Sequence, residues 1–189
     1  MIPAVILAAG ASTRLGEPKQ LAMLAGETLL ERAVRVAREV GCEPVVVVLG
    51  AAYVEILAHN QLRDAVPVIN DKWAEGMASS IRLGVRTLGF VAKQAKGVLL
   101  MTCDQPAVTA AHLRRLTLLQ EVKATRYVGR NGVPAYFPAN HFRRLMKLSG
   151  DAGARELLED ARFEELAGGE LDVDTAADLA AAERLFGGG

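Results

Sequence analysis

Aromatic residues are scarce in this chain of 189 residues, 5% of the total with a single tryptophan, so its interior has to be built from aliphatic side chains. Cysteine is scarcer still: Cys42 and Cys103 stand far apart, each in or beside an apolar run. That excludes a disulfide framework and reads as two reduced, buried thiols in a cytoplasmic protein. His59, His112 and His141 have no mutual spacing that would make a ligand pair, which disfavours a Cys/His metal centre. A charge surplus is missing as well. Lys plus Arg and Asp plus Glu balance at 22 each, so the basic excess that neutralises a nucleic-acid backbone is absent, while a small anion needs only a local cluster of cations. The first apolar run is short, has no basic residue before it and leads into Arg14, so neither a signal peptide nor a membrane anchor is expected.

What is present is aliphatic and punctuated. Apolar runs of strand length recur at 4–9 (AVILAA), 44–50 (PVVVVLG), 66–70 (VPVIN) and 97–103 (GVLLMTC). They lack polar alternation, as parallel strands covered on both faces do. Helical patterns fall between them. Residues 27–41 put Leu30, Val34 and Ala37 on one face and stop at Gly41, and 79–90 and 109–121 behave alike, the latter with Thr109 as N-cap. Strand–helix–strand alternation predicts a single α/β domain over 1–189: a Rossmann-like, doubly wound, mostly parallel sheet with helices on both faces. Beyond about residue 124 the pattern changes to a turn-rich hairpin insertion at 125–138, helices at 140–148 and 153–161, a short strand near 171–173 and a closing helix from Ala176.

In such a sheet, ligands sit beyond the carboxyl ends of the strands. The first strand runs into LAAGASTRLGEPKQL (7–21). Gly10, Ala11 and Ser12 are small enough for backbone N–H groups to close on phosphate oxygens, and Arg14 and Lys19 add positive charge. The segment is not a Walker A loop, having no Gly-Lys-Ser/Thr, nor a dinucleotide fingerprint, since Ala11-Ser12 follows Gly10. It reads as a phosphate loop of another kind, or as a plain structural turn. NDKWAEGMASSIRLG (70–84) opens a helix through Gly76, Met77, Ser79 and Ser80 with Arg82 in its first turn, either an anion-binding N-terminus or a simple cap. Trp73 beside it suits ring stacking or packing. Asp104, just past the strand 97–103, reads as a turn residue or, beside a triphosphate, as a hard ligand for Mg²⁺. Asp172 and Asp174 share one strand face, where they repel unless solvent or a cation intervenes, and Thr175 follows as a helix N-cap.

The 7–21 segment resembles the nucleotidyltransferase signature L-A-x-G-x-S-x-R-[ML]-G-x-[PD]-K without gaps. The narrower resemblance is to the molybdenum cofactor nucleotidyltransferases (MobA-like NTP transferases), with Ala9 and Pro18 as in their cytidylyltransferase branch. GMASSIRLG, DQP (104–106), GDAGAR (150–155) and DVDTAADL (172–179) resemble further segments of that family in the same order. The resemblance implies a nucleotide-diphospho-sugar transferase-like fold and Mg²⁺-dependent transfer of CMP from CTP, or of another nucleotide, to molybdopterin. A sugar 1-phosphate acceptor and a non-catalytic molybdopterin-binding role are the alternatives. It also implies a transient contact with a molybdoenzyme or its chaperone, and neither nucleic acid nor membrane as a partner. Carried over by motif, the nucleotide site comprises Leu7, Ala8, Ala9, Gly10, Ala11, Ser12, Lys19, Gly76, Met77, Ser79, Ser80 and Asp104. Arg14, Lys19 and Asp104 are the catalytic residues, and Asp104 with Asp174 holds the metal. Arg82, Gly132, Pro134, Gly150, Asp151 and Arg155 fall to the acceptor. One departure stands out: Val133 replaces the His that cytidylyltransferase relatives carry before the aromatic strand.

Overall fold

The computed structural model of the protein describes residues 1–60 and 62–187. Its first strand, β1 (Ala4–Ala8), is followed by a small hairpin of β2 (Met23–Leu24) and β3 (Glu27–Thr28), then α1 (Leu29–Glu39). Next come β4 (Val45–Leu49), α2 (Tyr53–His59), β5 (Val66–Ile69), α3 (Met77–Val91), β6 (Gly97–Thr102) and α4 (Ala110–Thr117). The remainder is β7 (Lys123–Tyr127), β8 (Arg130–Pro138), α5 (Phe142–Leu145), β9 (Arg162–Glu165) and α6 (Ala176–Phe186). Seven strands form one sheet in the order β5-β4-β1-β6-β8-β7-β9. β5, β4, β1 and β6 run parallel, β8 lies antiparallel between β6 and β7, and β9 is parallel to β7. The fold is the expected α/β arrangement, and the 125–138 hairpin extends the central sheet.

Period-2 geometry splits the aliphatic runs between two helical layers. Ala4, Ile6, Val45, Val47 and Leu99 pack with Leu30, Val34 and Leu113 under α1 and α4. Val5, Leu7, Val46, Val48 and Leu100 turn to the other face, against Ile81, Val85 and Leu88 of α3. Burying each such side chain contributes about 1.5–3 kcal/mol, so the central strands stay fixed and their carboxyl ends are a rigid ledge. α1 begins at a capping box, the Thr28 hydroxyl accepting from the Glu31 N–H, and ends at Gly41 (φ 85°) as expected. Thr109 and Thr175 cap α4 and α6 as read from the sequence. Both cysteines are free and buried.

Several expectations beyond residue 124 fail. Residues 171–173 form no strand; the Leu171 N–H donates to the Gly168 carbonyl at 3.2 Å and the Val173 N–H to the Asp104 carbonyl at 2.9 Å. The helix expected at 153–161 is only a 3₁₀ turn at Arg155–Leu157, and the chain then pairs as β9 with β7. Three charged residues hid that strand, since RFEE lies on the sheet edge with its side chains mostly exposed. α5 is four residues long where 140–148 was expected, and α2 was not anticipated.

Candidate active site

β1, β4 and β6 end at the same edge, and the loop after β1 turns there. Gln20, 1% exposed, is its brace: its amide N–H groups donate to the carbonyls of Ala8 (2.7 Å) and Gly10 (3.2 Å). Ser12 takes a left-handed backbone (φ 53°), and its hydroxyl accepts from the Lys19 N–H at 3.0 Å, closing the loop on itself. Among the described residues, the N–H groups of Gly10 and Ala11 have no protein partner, as an anion-binding loop requires.

Lys19 closes the constellation. Its ammonium donates to Asp104 Oδ2 at 2.6 Å and to Asp174 Oδ1 at 2.8 Å, and the Arg14 guanidinium takes Asp174 Oδ2 at 2.6 Å. Burial alone would lower the Lys19 pKa; the charge of Asp104 and the bonds to both carboxylates outweigh it and raise the ammonium above its ordinary range. Asp174 reaches Asp104 because the Val173–Asp104 backbone bond pins the 172–174 segment against the end of β6. Asp104 Oδ1 is buried and has no partner. Asp172 keeps an exposed edge, yet burial of its carboxyl, with Asp104 and then Asp174 nearby, pushes it up to about 7 against an opposing bond from Gln105. The Tyr127 hydroxyl pKa likewise rises, through burial and then the Asp172 charge.

A cleft of about 610 Å³ opens above this cluster. Leu7, Ala9, Gly10, Ala11, Lys19 and Asp104 line one side. Gly76, Met77, Ser80, Gly150 and Asp151 line the other, with Trp73 and Glu75 beside them. Gly76 (φ 96°) has to be glycine twice over, since a Cβ there would also lie 2.7 Å from the Gly150 carbonyl oxygen. The free N–H groups at the start of α3 are already taken, Met77 by Asp151 Oδ1 (3.3 Å) and Ala78 by the Gly150 carbonyl (3.2 Å). That helix terminus is therefore satisfied within the protein, and Gly150 and Asp151 form a wall.

Most other expected residues, Arg14 and Asp174 among them, lie apart from the cleft lining, while Ser80 is on it. Ala8 is inside β1 and Ser12 is spent on the loop. Ser79 and Ser80 both accept from the buried Asn70 amide, at 2.8 and 2.9 Å. Arg82 ties α3 to the Leu148 carbonyl and to Glu75. Arg155 is exposed on its 3₁₀ turn. Gly132 and Pro134 sit on β8, Gly132 under the Tyr127 hydroxyl and Pro134 with its carbonyl accepting from the Thr125 hydroxyl at 2.6 Å. Gln20 and Asn70, the two braces, were missed. A buried amide has no sequence pattern of its own, and the one clue was Gln20's place directly after Lys19.

A mostly parallel sheet whose carboxyl edge carries a loop with open N–H groups, a lysine and two carboxylates bridged by it suits an enzyme that moves a nucleotidyl group. Residues 4–167 match the MobA-like NTP transferase domain, and the chain belongs to that family. It is 33% identical over 169 residues to nicotine blue oxidoreductase of Paenarthrobacter nicotinovorans, covering 83% of this chain and 81% of that one. It is 31% identical over 139 residues to a probable molybdenum cofactor guanylyltransferase of Opitutus terrae, covering 71% and 65%. Among solved structures it is similar to Rv0371c of Mycobacterium tuberculosis in complex with manganese, with a TM-score of 0.79, 32% identity and coverage of 100% and 99%.

Proposed function

We propose that the chain is one cytoplasmic nucleotidyltransferase domain spanning residues 1–189 that transfers CMP from CTP to molybdopterin, uses Mg²⁺ and releases pyrophosphate. The observation that carries this reading is the Asp104–Lys19–Asp174 cluster, of which Asp104 and Lys19 line the cleft together with Gly10 and Ala11.

The donor set fits a hard divalent ion. Two carboxylates converge, and the unpartnered Oδ1 of Asp104 is an oxygen the fold leaves without a donor. Among the described residues no group of three His, Cys, Asp or Glu side chains is placed to hold a metal. That suits Mg²⁺, which takes one or two carboxylates and keeps waters or substrate oxygens for the rest. Held by Asp104 and Asp174, the ion would neutralise charge developing at the α-phosphate. Manganese in the Rv0371c structure is support from a relative.

The chain's own groups supply position and charge. Gly10 and Ala11 offer N–H groups to phosphate oxygens, and Lys19 and Arg14 offset the triphosphate charge. The terminal phosphate oxygen of the acceptor attacks the α-phosphorus; the new P–O bond forms as the α–β bridging P–O bond breaks, and pyrophosphate leaves with that electron pair. The nucleophile is already anionic, so no general base is required, and catalysis rests on alignment and electrostatics. Trp73 and Met77 border the space open to the base. Among the described residues no helix is long and apolar enough to cross a membrane.

Cytidine rests on Ala9 and Pro18; guanine is the second reading, supported by the name of the Opitutus relative. Thermal unfolding with CTP, GTP, ATP and UTP, each with and without Mg²⁺, separates them. A ligand at a hundred times its Kd adds ~2.7 kcal/mol, or roughly 5–10 °C for a chain of this size. That shift with CTP and Mg²⁺ is the expected result, followed by pyrophosphate release once molybdopterin is added. A larger shift with GTP overturns the cytidine assignment, and no release with any nucleotide overturns the acceptor. A transient contact with the molybdoenzyme that receives the product, or with its chaperone, belongs to the same proposal.

A further inference from the structure

The Lys19 ammonium lies between the two carboxylates of the site. One ammonium bridges one oxygen of each carboxylate, at 2.6 and 2.8 Å, while its main chain is fixed by the Ser12 hydroxyl and its flank lines the cleft. Building on the function proposed above, we propose that Lys19 is a resident stand-in cation. It holds Asp104 and Asp174 together in the nucleotide-free protein, and it yields them to the divalent ion as its own charge moves onto the triphosphate.

Three observations lead there. Two acids brought this close cost free energy unless a counter-charge lies between them, and Lys19, with only 17% of its side chain exposed, is that charge. The lysine satisfies Asp104 through Oδ2 alone and leaves the buried Oδ1 unpaired, so its grip is incomplete where an ion with more coordination positions is not. The cluster is also neutral as it stands, Lys19 and Arg14 against Asp104 and Asp174. A triphosphate arrives with net negative charge and its own divalent ion. If the ion takes the carboxylates, both cations are released to the phosphates, and charge balances before and after. Lysine suits this better than arginine, because its compact ammonium on a flexible stem changes partners by side-chain rotation. The consequence is coupling: metal binds weakly alone and tightly with nucleotide, and by linkage each raises affinity for the other.

The test uses Mn²⁺ as probe, followed by electron paramagnetic resonance on the full chain without nucleotide. Lys19→Gln removes the competitor and should bind Mn²⁺ at least about tenfold tighter than the unmodified protein, equivalent to about 1.4 kcal/mol. Lys19→Arg keeps the charge and should stay near the unmodified value. A second readout guards against misfolding: in chelator the Lys19→Gln protein should melt below the unmodified one, and Mn²⁺ should close that gap. CTP should tighten Mn²⁺ binding in the unmodified protein and do so less in Lys19→Gln. Equal or weaker Mn²⁺ binding by Lys19→Gln, with binding still abolished by Asp104→Asn, overturns the stand-in and leaves the nucleotidyltransferase reading intact. Lys19→Arg binding as tightly as Lys19→Gln also overturns it, because charge would then not be the cause. Mn²⁺ binding that is absent with CTP, or indifferent to Asp104→Asn, overturns both.

Discussion

The two flanks of the cleft floor are held in opposite ways. The loop after β1 is a local device: Gln20 and Ser12 close it through contacts spanning 7 to 12 residues of sequence. The acidic segment at 172–174 has its site contacts with Asp104, Lys19 and Arg14, the two ion pairs spanning 155 and 160 residues. A short loop that braces itself offers the same phosphate surface whatever acceptor is used. A segment held only by the finished fold cannot be assembled until β1 and β6 are side by side. The site is thus a rigid nucleotide half joined, through Asp104, to a half that depends on tertiary structure.

Cutting that joint should have the largest effect. Asp104→Ala removes an oxygen from the Lys19 bridge and from the metal position, while the backbone carbonyl that holds Val173 remains. Pyrophosphate release should fall by ~10³-fold, about 4 kcal/mol of transition-state stabilisation, in a protein that still folds. Turnover near that of the unmodified protein would mean the two halves do not work through this carboxylate.

Gln20→Ala attacks the nucleotide half alone. It strips the donor from the Ala8 and Gly10 carbonyls, and an unsatisfied buried acceptor costs about 1–3 kcal/mol. The expected outcome is lower stability with weaker nucleotide binding, and Mn²⁺ affinity at the carboxylates changed less. Equal losses of both would show that the halves are not separately supported.

The same division explains what could be read before the fold was seen. β1, β4 and β6 are legible because burial on both faces leaves unbroken aliphatic runs, and β5 is legible by its β-branched residues although it lies half-exposed at the sheet edge. Thr109 and Thr175 act within a single turn, so their capping is legible as well. The loop after β1 stands out as a candidate site because its small residues and cations lie close together in sequence. Asp174 is different. Nothing local distinguishes it from Asp172, and only family resemblance paired it with Asp104; the physical reason, the Val173–Asp104 backbone bond, exists only in the fold. The false strand at 171–173 arose because apolar spacing suggests a strand without saying whether a neighbouring strand is there. β9 stayed hidden for the converse reason: an edge strand needs one partner and tolerates charge, and Phe163 there finds its company in the Arg126 guanidinium, 4.0 Å from the ring centre.

The hairpin half can be weakened by acid. His112 is wholly buried in α4, its Nε2 2.8 Å from the Thr125 hydroxyl, which donates its one proton to the Pro134 carbonyl. Nε2 is therefore the protonated nitrogen, and Nδ1 accepts from Arg115. Burial first, then the Arg115 charge, lowers its pKa to about 4. A base with a depressed folded pKa binds more protons when unfolded, so its contribution is complete above the ordinary value near 6.5 and is lost as pH falls towards 4. Melting temperatures measured between pH 7 and 4 should fall, and His112→Gln should flatten that slope while starting lower at pH 7. An unchanged slope would place the acid-sensitive group elsewhere.

The smallest effect is expected where the hairpin meets the acidic segment. At Gly132 a Cβ would lie 2.5 Å from the Tyr127 hydroxyl oxygen, so Gly132→Ala must push that ring end aside. Gly132 lacks a left-handed backbone, so the substitution adds contact and not conformational strain. The displaced hydroxyl shifts relative to the Asp172 carboxylate, whose charge it feels. Stability should drop by only about 1 kcal/mol, and the thermal shift given by nucleotide and Mg²⁺ should be untouched. If the acceptor binds on this side, its KM should rise severalfold in the same protein. A change in nucleotide affinity instead would mean the hairpin reaches across the cleft floor, and the division between a self-braced half and a dependent half would have to be redrawn.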